Sequence, residues 1–426
     1  MVNEILKTDI PDDWDIKKLE PNVGFVRSGK RLPKGYYVTP IPTQHPYIRV
    51  ADMRPGYVDV EGLMYVPDEA YFWIQKYRIY RDDIYISVAG TLGIVGQIPG
   101  YLDGANLTEN ANRITDIKCN IKFLMYWLMS SKIQGLINQT QTLGAQPKLA
   151  LTRIRNFPII LPPIEEQRQI AEVLCNVDTL ITNLRKLIRK KKDIRQGTMQ
   201  MLVTGKKRLE GFSGDWIKIN LAKNSRLKAR IGWQGLTTAE YLDEGYSYLI
   251  TGTDFKDGRI NWNGCHYVNY DRYVQDPNIQ VSNGDLLLTK DGTIGKVAYI
   301  SDLNRPATLN SGVFVVKPIT DAYTAHFMFY VLESSVFKEF LQQLSAGSTI
   351  NHLYQKDLVK FDLYVPPTTE EQEAIAGILF DMDLDIYKLE EKLSKYQKIK
   401  LGMMDELLTG KVRFCLLYTS PSPRDA

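Results

Sequence analysis

One segment occurs twice in this chain, and the repetition limits what the chain can fold into. Residues 161–209 read LPPIEEQRQIAEVLCNVDTLITNLRKLIRKKKDIRQGTMQMLVTGKKRL, and residues 365–414 read VPPTTEEQEAIAGILFDMDLDIYKLEEKLSKYQKIKLGMMDELLTGKVRF. Glu165, Glu166 and Gln167 return as Glu370, Glu371 and Gln372. Ile170 and Ala171 return as Ile375 and Ala376, and Thr204, Gly205 and Lys206 as Thr409, Gly410 and Lys411. The match extends beyond these segments. Pro11-Asp12-Asp13-Trp14 answers Ser213-Gly214-Asp215-Trp216, Gly90-Thr91-Leu92-Gly93 answers Gly292-Thr293-Ile294-Gly295, and residues 123–126 (FLMY) answer 327–330 (FMFY). All these matches lie roughly 202 to 205 residues apart, so the chain is a tandem duplication. Two copies are too few for a solenoid and point instead to pseudo-two-fold symmetry.

Each copy starts with a globular part and ends in a helix. At 426 residues the chain exceeds one ordinary core. The runs 83–88 (DIYISV) and 285–289 (DLLLT) read as short strands entering the GTxG turns, and 47–50 and 248–250 as a second matched pair. A single helix is expected at 121–137, with Phe123, Leu124, Trp127, Leu128 and Ile133 at helical spacing. Its counterpart at 326–344 carries Phe327, Tyr330, Val331, Phe337 and Leu341. Such aromatics at helical spacing are core rather than a base-stacking platform.

The prolines Pro162-Pro163 and Pro366-Pro367 precede the long helices, where proline ends one element and opens the next. Glu165, Glu166, Glu370 and Glu371 suit the positive ends of those helices, and Gly205 and Gly410 the left-handed caps that close them. Apolar residues recur in steps of three and four for about five heptads, a coiled-coil stripe on a rod of roughly 60 Å. The simplest partner for each stripe is the other. The basic second half of the first helix would meet Asp381, Asp383, Asp385, Glu390 and Glu391 in an antiparallel pair.

Charge and composition exclude several classes. There are 53 Lys and Arg against 49 Asp and Glu, a net charge of +4, so distribution matters more than total. The runs 185–192 (RKLIRKKK) and 206–208 (KKR) are either a solvated helix face or a surface that meets something acidic. The four cysteines are scattered without a CxxC pair, against a disulfide framework or a zinc site. No apolar run reaches membrane-spanning length, and the acidic N-terminal stretch lacks a signal-peptide core, so a cytoplasmic protein is expected. No P-loop, GxGxxG, GxSxG or HExxH is present. The prolines 162–163 and 366–367 lack the Asn or Asp and the aromatic of a base-amino methyltransferase motif. A nuclease built from Asp385, Glu390, Glu391 and Lys392 competes with plain interhelical charge pairing.

The copies differ where a binding surface would be. Residues 27–35 (RSGKRLPKG) form a basic, glycine-containing loop whose counterpart is 226–233 (RLKARIGW). A polar stretch precedes each long helix: 139–148 (QTQTLGAQPK) and 345–352 (SAGSTINH). Arg and Lys pair with guanine, Asn and Gln with adenine, and Ser and Thr with either. Generic solvated loops share this composition, but here the setting repeats while the sequence changes, which favours DNA readout. The GTxG turns are either structural turns or places where flanking residues, Lys290 above all, approach a phosphate backbone.

With LPPIEEQ/VPPTTEEQ starts, LVTGK/LLTGK ends and paired GTxG turns over residues 11–414, the chain resembles the specificity subunits of type I restriction-modification systems. The resemblance implies an α+β molecule of two mixed α/β target-recognition domains, separated by two long helices that pair as an antiparallel coiled coil in a pseudo-two-fold tandem repeat. The expected segments are a first recognition domain (1–162), a first long helix (163–206), a second recognition domain (207–366), a second long helix (367–412) and a disordered or non-native tail (413–426). Each domain would read one half of a bipartite, asymmetric double-stranded DNA site. The expected DNA-binding residues are Arg27, Lys30, Arg31, Lys34, Gln146, Lys148, Arg226, Lys228, Arg230, Lys290, Thr349, Asn351 and His352. The helices would dock two DNA methylase subunits through Glu165, Gln167, Glu370 and Gln372, with restriction subunits beyond them. The subunit itself would be non-catalytic and free of cofactor and metal, while S-adenosylmethionine, ATP and Mg²⁺ belong to its partners. Two rival readings predict otherwise: a coiled-coil scaffold without DNA readout, and a self-contained DNA-modifying enzyme.

Overall fold

The computed structural model describes residues 10–139, 148–232, 235–345 and 352–414. The expected tail lies outside them from residue 415 onward. The chain divides into two compact units: Met1–Arg185 together with Lys392–Ala426, and Lys186–Glu391.

In the first unit a four-stranded sheet orders Phe25–Ser28, Ala111–Thr115, Ile84–Ser87 and Val95–Gly96, all antiparallel. A second sheet orders Met64–Tyr65, Pro46–Ile48, Ala105–Leu107 and Arg78–Ile79, with its central pair parallel. The second unit repeats both sheets. One orders Ser225–Lys228, Val313–Pro318, Leu286–Thr289 and Val297–Tyr299, and the other His266–Val268, Ser247–Ile250, Ala307–Leu309 and Gln280–Val281. A two-stranded ribbon closes each unit before its long helix: Asp15–Lys18 with Pro158–Leu161, and Ile217–Asn220 with Asp362–Val365.

The strand that enters each GTxG turn is buried along its whole length because both of its faces are covered. Ile84 and Ile86 pack among the helix residues Phe123, Trp127 and Ile133, while Tyr85 packs with Ile48, Ile79 and Leu107 of the second sheet. Likewise Leu286 and Leu288 join the helix-side core and Leu287 the sheet-side core.

The expected single helix is two helices in each unit: α1 (Ile121–Met129) and α2 (Ser131–Gln139) in the first, and α4 (Ala325–Glu333) and α5 (Ser335–Ser345) in the second. The breaks fall at Ser130 and Ser334, both buried and both extended at ψ 156° and 178°. Ser334 Oγ donates to Val331 O (2.6 Å) and accepts from Val336 N (3.2 Å), so the hydroxyl replaces the backbone partner that would continue the helix. Asn120 and Thr324 cap the first helix of each pair by accepting from Phe123 N and Phe327 N. The aromatics on these helices are core, with Phe123, Trp127, Phe327 and Phe337 fully buried.

The long helices are α3 (Ile164–Val203) and α6 (Thr369–Leu407). Each is shared between the units, which divide α3 after Arg185 and α6 after Glu391. The reason lies in the cores. Ile170, Ala171 and Leu174 of α3 pack with Met404 and Leu407 of α6 in the first unit, and Met199 and Leu202 of α3 join the core of Ile375, Ala376 and Leu379 in the second. Within the second unit Lys191 pairs with Asp385 (3.0 Å), Lys192 with Glu390 (2.7 Å) and Arg195 with Asp383 (2.8 Å). Not all of the apolar stripe is covered: Ile194 and Ile399, equivalent positions, are 48% and 39% exposed.

A repeated latch ties each helix pair to its sheet-covering helix. In the first unit Tyr126 on α1 donates to Asp178 (2.7 Å), and Lys400 pairs with the same carboxylate (2.6 Å) 5.4 Å above the Tyr126 ring. In the second, Tyr330 on α4 donates to Asp383 (3.1 Å), and Arg195 grips Asp383 through two nitrogens 5.4 Å above the Tyr330 ring. Arg195 also reaches Glu333 (2.6 Å), a position that in the first unit is Met129.

At the helix ends Gly205 and Gly410 adopt the left-handed conformation (φ +69° and +74°), lying over Trp216 and Trp14 respectively. Just beyond, Arg208 pairs with buried Glu371 (2.7 Å), and Arg413 with Glu166 (2.7 Å) and Asp13 (2.7 Å). Trp14 donates its indole N–H to the same Glu166. The paired glutamates and the TGK ends are thus complementary halves of one clasp, present in each unit.

Candidate nucleic-acid interface

The first basic loop leaves the edge strand Phe25–Ser28 through Gly29. There Gly29 N donates to Ala111 O (3.0 Å) and Lys30 N to Leu107 O (2.9 Å). A Cβ on Gly29 would lie 2.0 Å from Thr108 O, so only glycine permits this crossing. Arg27 is exposed on the strand itself, and the loop that follows exposes Lys30, Arg31 and Lys34. It is anchored by Tyr47, whose hydroxyl donates to Lys30 O (3.0 Å) and whose pKa burial pushes up to about 12. Arg31 is engaged with Glu109 (3.0 Å), and the Lys30 ammonium stands 5.8 Å over the Tyr77 ring.

The second basic loop differs. Arg226 and Lys228 project from the edge strand into solvent, but Arg230 does not. It is 2% exposed, donates from Nε to Leu309 O (2.9 Å), and has its pKa lowered by burial. Arg230 is therefore a core residue that supports the loop, not one of its exposed cations. The cleft beside this strand, ≈ 210 Å³, is lined by Arg226, Lys228, Lys317, Val315, Pro277 and Asn278.

The polar stretches start at the ends of α2 and α5 and return beside the GTxG turns. Lys148 bridges Ala89, and His352 bridges Asp291, in each case just before the turn. Leu149 N donates to Val88 O (2.9 Å) and Leu353 N to Lys290 O (2.8 Å), which fixes the return at the same place in both units. Lys148 is exposed. His352 Nδ1 pairs with Asp291, while Lys290 Nζ lies 3.5 Å from His352 Nε2 and 5.5 Å over the Phe314 ring. Gln146, Thr349 and Asn351 lie outside the described residues. The turns themselves are closed by buried hydroxyls: Ser87 Oγ donates to Thr91 O and Thr289 Oγ1 to Thr293 O, each at 2.6 Å.

Of the residues expected to dock partners, Glu165 and Glu370 are exposed. Gln167 and Gln372 are 5% and 1% exposed and are used internally. Gln167 accepts from Asn120 N (2.9 Å) and donates to Pro162 O (2.8 Å). Gln372 accepts from Thr324 N (2.8 Å) and donates to Pro366 O and Ala322 O. They join the start of each long helix to the cap of the helix over the sheet, which is why they recur.

The register of the edge strands brings in residues that sequence reading passed over. Arg27 stands directly opposite Arg113, and Arg226 opposite Lys317. Arg113 is held by Asp83 (2.8 Å) and Lys317 by Asp285 (2.9 Å). These carboxylates are themselves fixed by backbone donors, Tyr80 N (3.0 Å) and Ser282 N (2.8 Å). The sequence carried no repeat signal for them: the counterpart of Arg113 in the second unit is Val315, and that of Lys317 in the first is Thr115.

Among the described residues no three His, Cys, Asp or Glu side chains gather as a metal-binding group, and no helix is long and apolar enough to cross a membrane.

Comparison with known proteins agrees with this geometry. The model of the type I restriction modification DNA specificity domain matches residues 11–195 and again 207–400. A putative type I restriction enzyme MjaX specificity subunit from Methanocaldococcus jannaschii is 27% identical over 431 residues, covering 95% of each chain. Two solved structures share the fold. The type I restriction-modification S subunit from M. genitalium aligns at TM-score 0.59 and 16% identity, over 94% of this chain and 96% of its own. A chain from a structure addressing complex assembly and conformational transition of the type I R-M system aligns at 0.54 and 16%, over 95% and 100%.

Proposed function

The chain belongs to the type I restriction-modification DNA specificity family, and from that premise we propose that it reads a bipartite, asymmetric DNA site, one half-site per unit. The observation that carries this reading is the pairing of a repeated frame with unrepeated loops. Both units present a basic loop from the edge strand and a polar stretch returning beside a GTxG turn, yet the loop sequences differ. A common frame puts different side chains at equivalent places, which is what two different half-sites require.

In this reading α3 and α6 pair as an antiparallel coiled coil and set the number of unread base pairs between half-sites. Their lengths of 40 and 39 residues and the opposed order of the Lys191–Asp385 and Arg195–Asp383 ion pairs support it. The duplicated helix starts, with Glu165 and Glu370 exposed, offer similar surfaces to two methylase subunits, and restriction subunits attach through those. A solved relative comes from work on assembly of the type I R-M complex, which fits a subunit that acts by bringing others to DNA. The chemistry then belongs to the partners: S-adenosylmethionine for methylation, ATP and Mg²⁺ for restriction. This subunit contributes recognition and no cofactor of its own.

The test exchanges residues 27–163 for the corresponding segment of another family member, co-expressed with the methylase subunit, and reads the modified sites by methylome sequencing. One half-site changes and the other stays. A change in both, or in neither, refutes the reading.

A further inference from the structure

We propose that the opposed cations at the sheet edges, Arg27 with Arg113 and Arg226 with Lys317, form a seat for a DNA backbone phosphate in each unit. This rests on the DNA reading and deepens it, because it moves sequence-independent affinity from the variable loops to the repeated sheet. Directly opposite residues of an antiparallel pair place their side chains on one face, and like charges there destabilise the sheet. The fold nonetheless carries such a pair in both units, displaced by two residues between them: Arg113 lies opposite Tyr85, and the residue opposite the matching Leu287 is Val315, not Lys317. In each, one member is neutralised by a carboxylate: Arg113 by Asp83, and Lys317 by Asp285. The other, Arg27 or Arg226, is exposed and has no carboxylate partner among the described residues. A third cation stands near each pair. Arg78 and Arg113 both lie over the Tyr80 ring, at 5.8 and 5.5 Å, and Lys228 lines the cleft with Arg226 and Lys317.

Each seat therefore holds a net positive charge that its own unit leaves uncompensated. The Asp83 and Asp285 contacts hold the inner cation in place, so that its charge is pre-positioned and the outer guanidinium can fork onto an anionic oxygen. A phosphodiester supplies such oxygens at every nucleotide step, whatever the base. A cationic seat on the sheet of each unit suits a contact that does not depend on base identity, while the differing loops suit what does.

The test uses the full-length chain and a fluorescein-labelled random-sequence DNA duplex, with affinity read by anisotropy across a KCl series. Random sequence isolates phosphate contacts from base readout. The R27A and R226A variants each lower the slope of log affinity against log salt by about 0.9, and the double variant by about twice that. K398A, removing an exposed lysine on α6, leaves the slope unchanged. R27A and R226A alter exposed side chains, and unchanged melting curves confirm that each variant is folded. Wild-type slopes in both single variants and the double would overturn the proposal. So would calorimetric binding of inorganic phosphate that R226A abolishes without any change in the duplex slope, which would mark a free-anion site. Absence of duplex binding by the unmodified chain would instead refute the DNA reading itself.

Discussion

Replacing Arg195 by alanine perturbs the most heavily charged latch of the second unit. Arg195 is only 14% exposed and neutralises two carboxylates, Asp383 at 2.8 Å and Glu333 at 2.6 Å. Its removal leaves both carboxylates without their shared cation. Breaking a buried pair from one side costs about 3–5 kcal/mol, and partial exposure of Asp383 and Glu333 puts R195A at the lower end, about 3 kcal/mol. The loss also depends on pH. Burial already raises the Glu333 pKa above its ordinary value, and removing Arg195 takes away the cation that opposes this rise. A carboxyl whose folded pKa is raised favours folding below its ordinary pKa, and that benefit disappears as pH climbs through the folded value. R195A is thus least impaired near pH 5 and most impaired at pH 8. The first unit supplies the comparison: Lys400 faces Asp178 alone, with Met129 where Glu333 would stand. One acceptor suits a point charge and two suit a fork, so R195K still loses about 1–2 kcal/mol through its missing second bond, whereas K400R loses little. Hydrogen exchange of the α4 and α6 peptides, read by mass spectrometry at both pH values, measures the local stability. A loss below about 1 kcal/mol for R195A, or a pH profile parallel to wild type, would refute this account.

Gly29→Ala drives a methyl group into the Thr108 carbonyl and displaces the first basic loop; it costs about 1–3 kcal/mol and weakens binding at one half-site only, as thermal melting and methylome sequencing report. Gln372→Ala leaves Thr324 N and two carbonyls without their buried partner, at a cost of about 2–3 kcal/mol by urea denaturation. If it instead left stability intact and abolished methylase binding, Gln372 would be a docking residue after all.

The duplication, the GTxG strands and the long helices were legible because each depends on residues close together in sequence. Proline, glycine and apolar spacing mark their own neighbourhoods. The breaks at Ser130 and Ser334 were not, because the apolar spacing continues across both, and at Ser334 the chain stops its helix through a hydroxyl that bonds the local backbone, which composition alone does not reveal. Arg230 looked like its neighbours Arg226 and Lys228, and only the carbonyl of Leu309, brought near by the fold, distinguishes it. Gln167 and Gln372 recur as a docking motif would, yet they recur because the same buried junction is built twice. Arg113 and Lys317 escaped notice because cross-strand register, which sets them opposite Arg27 and Arg226, is not written in either strand alone.

The division of the chain into units has a consequence for synthesis. The second unit is one continuous stretch, Lys186–Glu391, and can close as soon as it is made. The first cannot. Ile170, Ala171 and Leu174 emerge early, but Met404, Leu407 and Leu408, which cover them, are translated only after the whole second unit. The entropic cost of joining such distant segments grows only slowly with the loop between them, so the finished unit loses little stability. What lengthens is the interval in which an apolar helix face stays open on the nascent chain, the condition under which aggregation competes with folding. For this protein, vulnerability is greatest before the second half of α6 is released and ends when it docks.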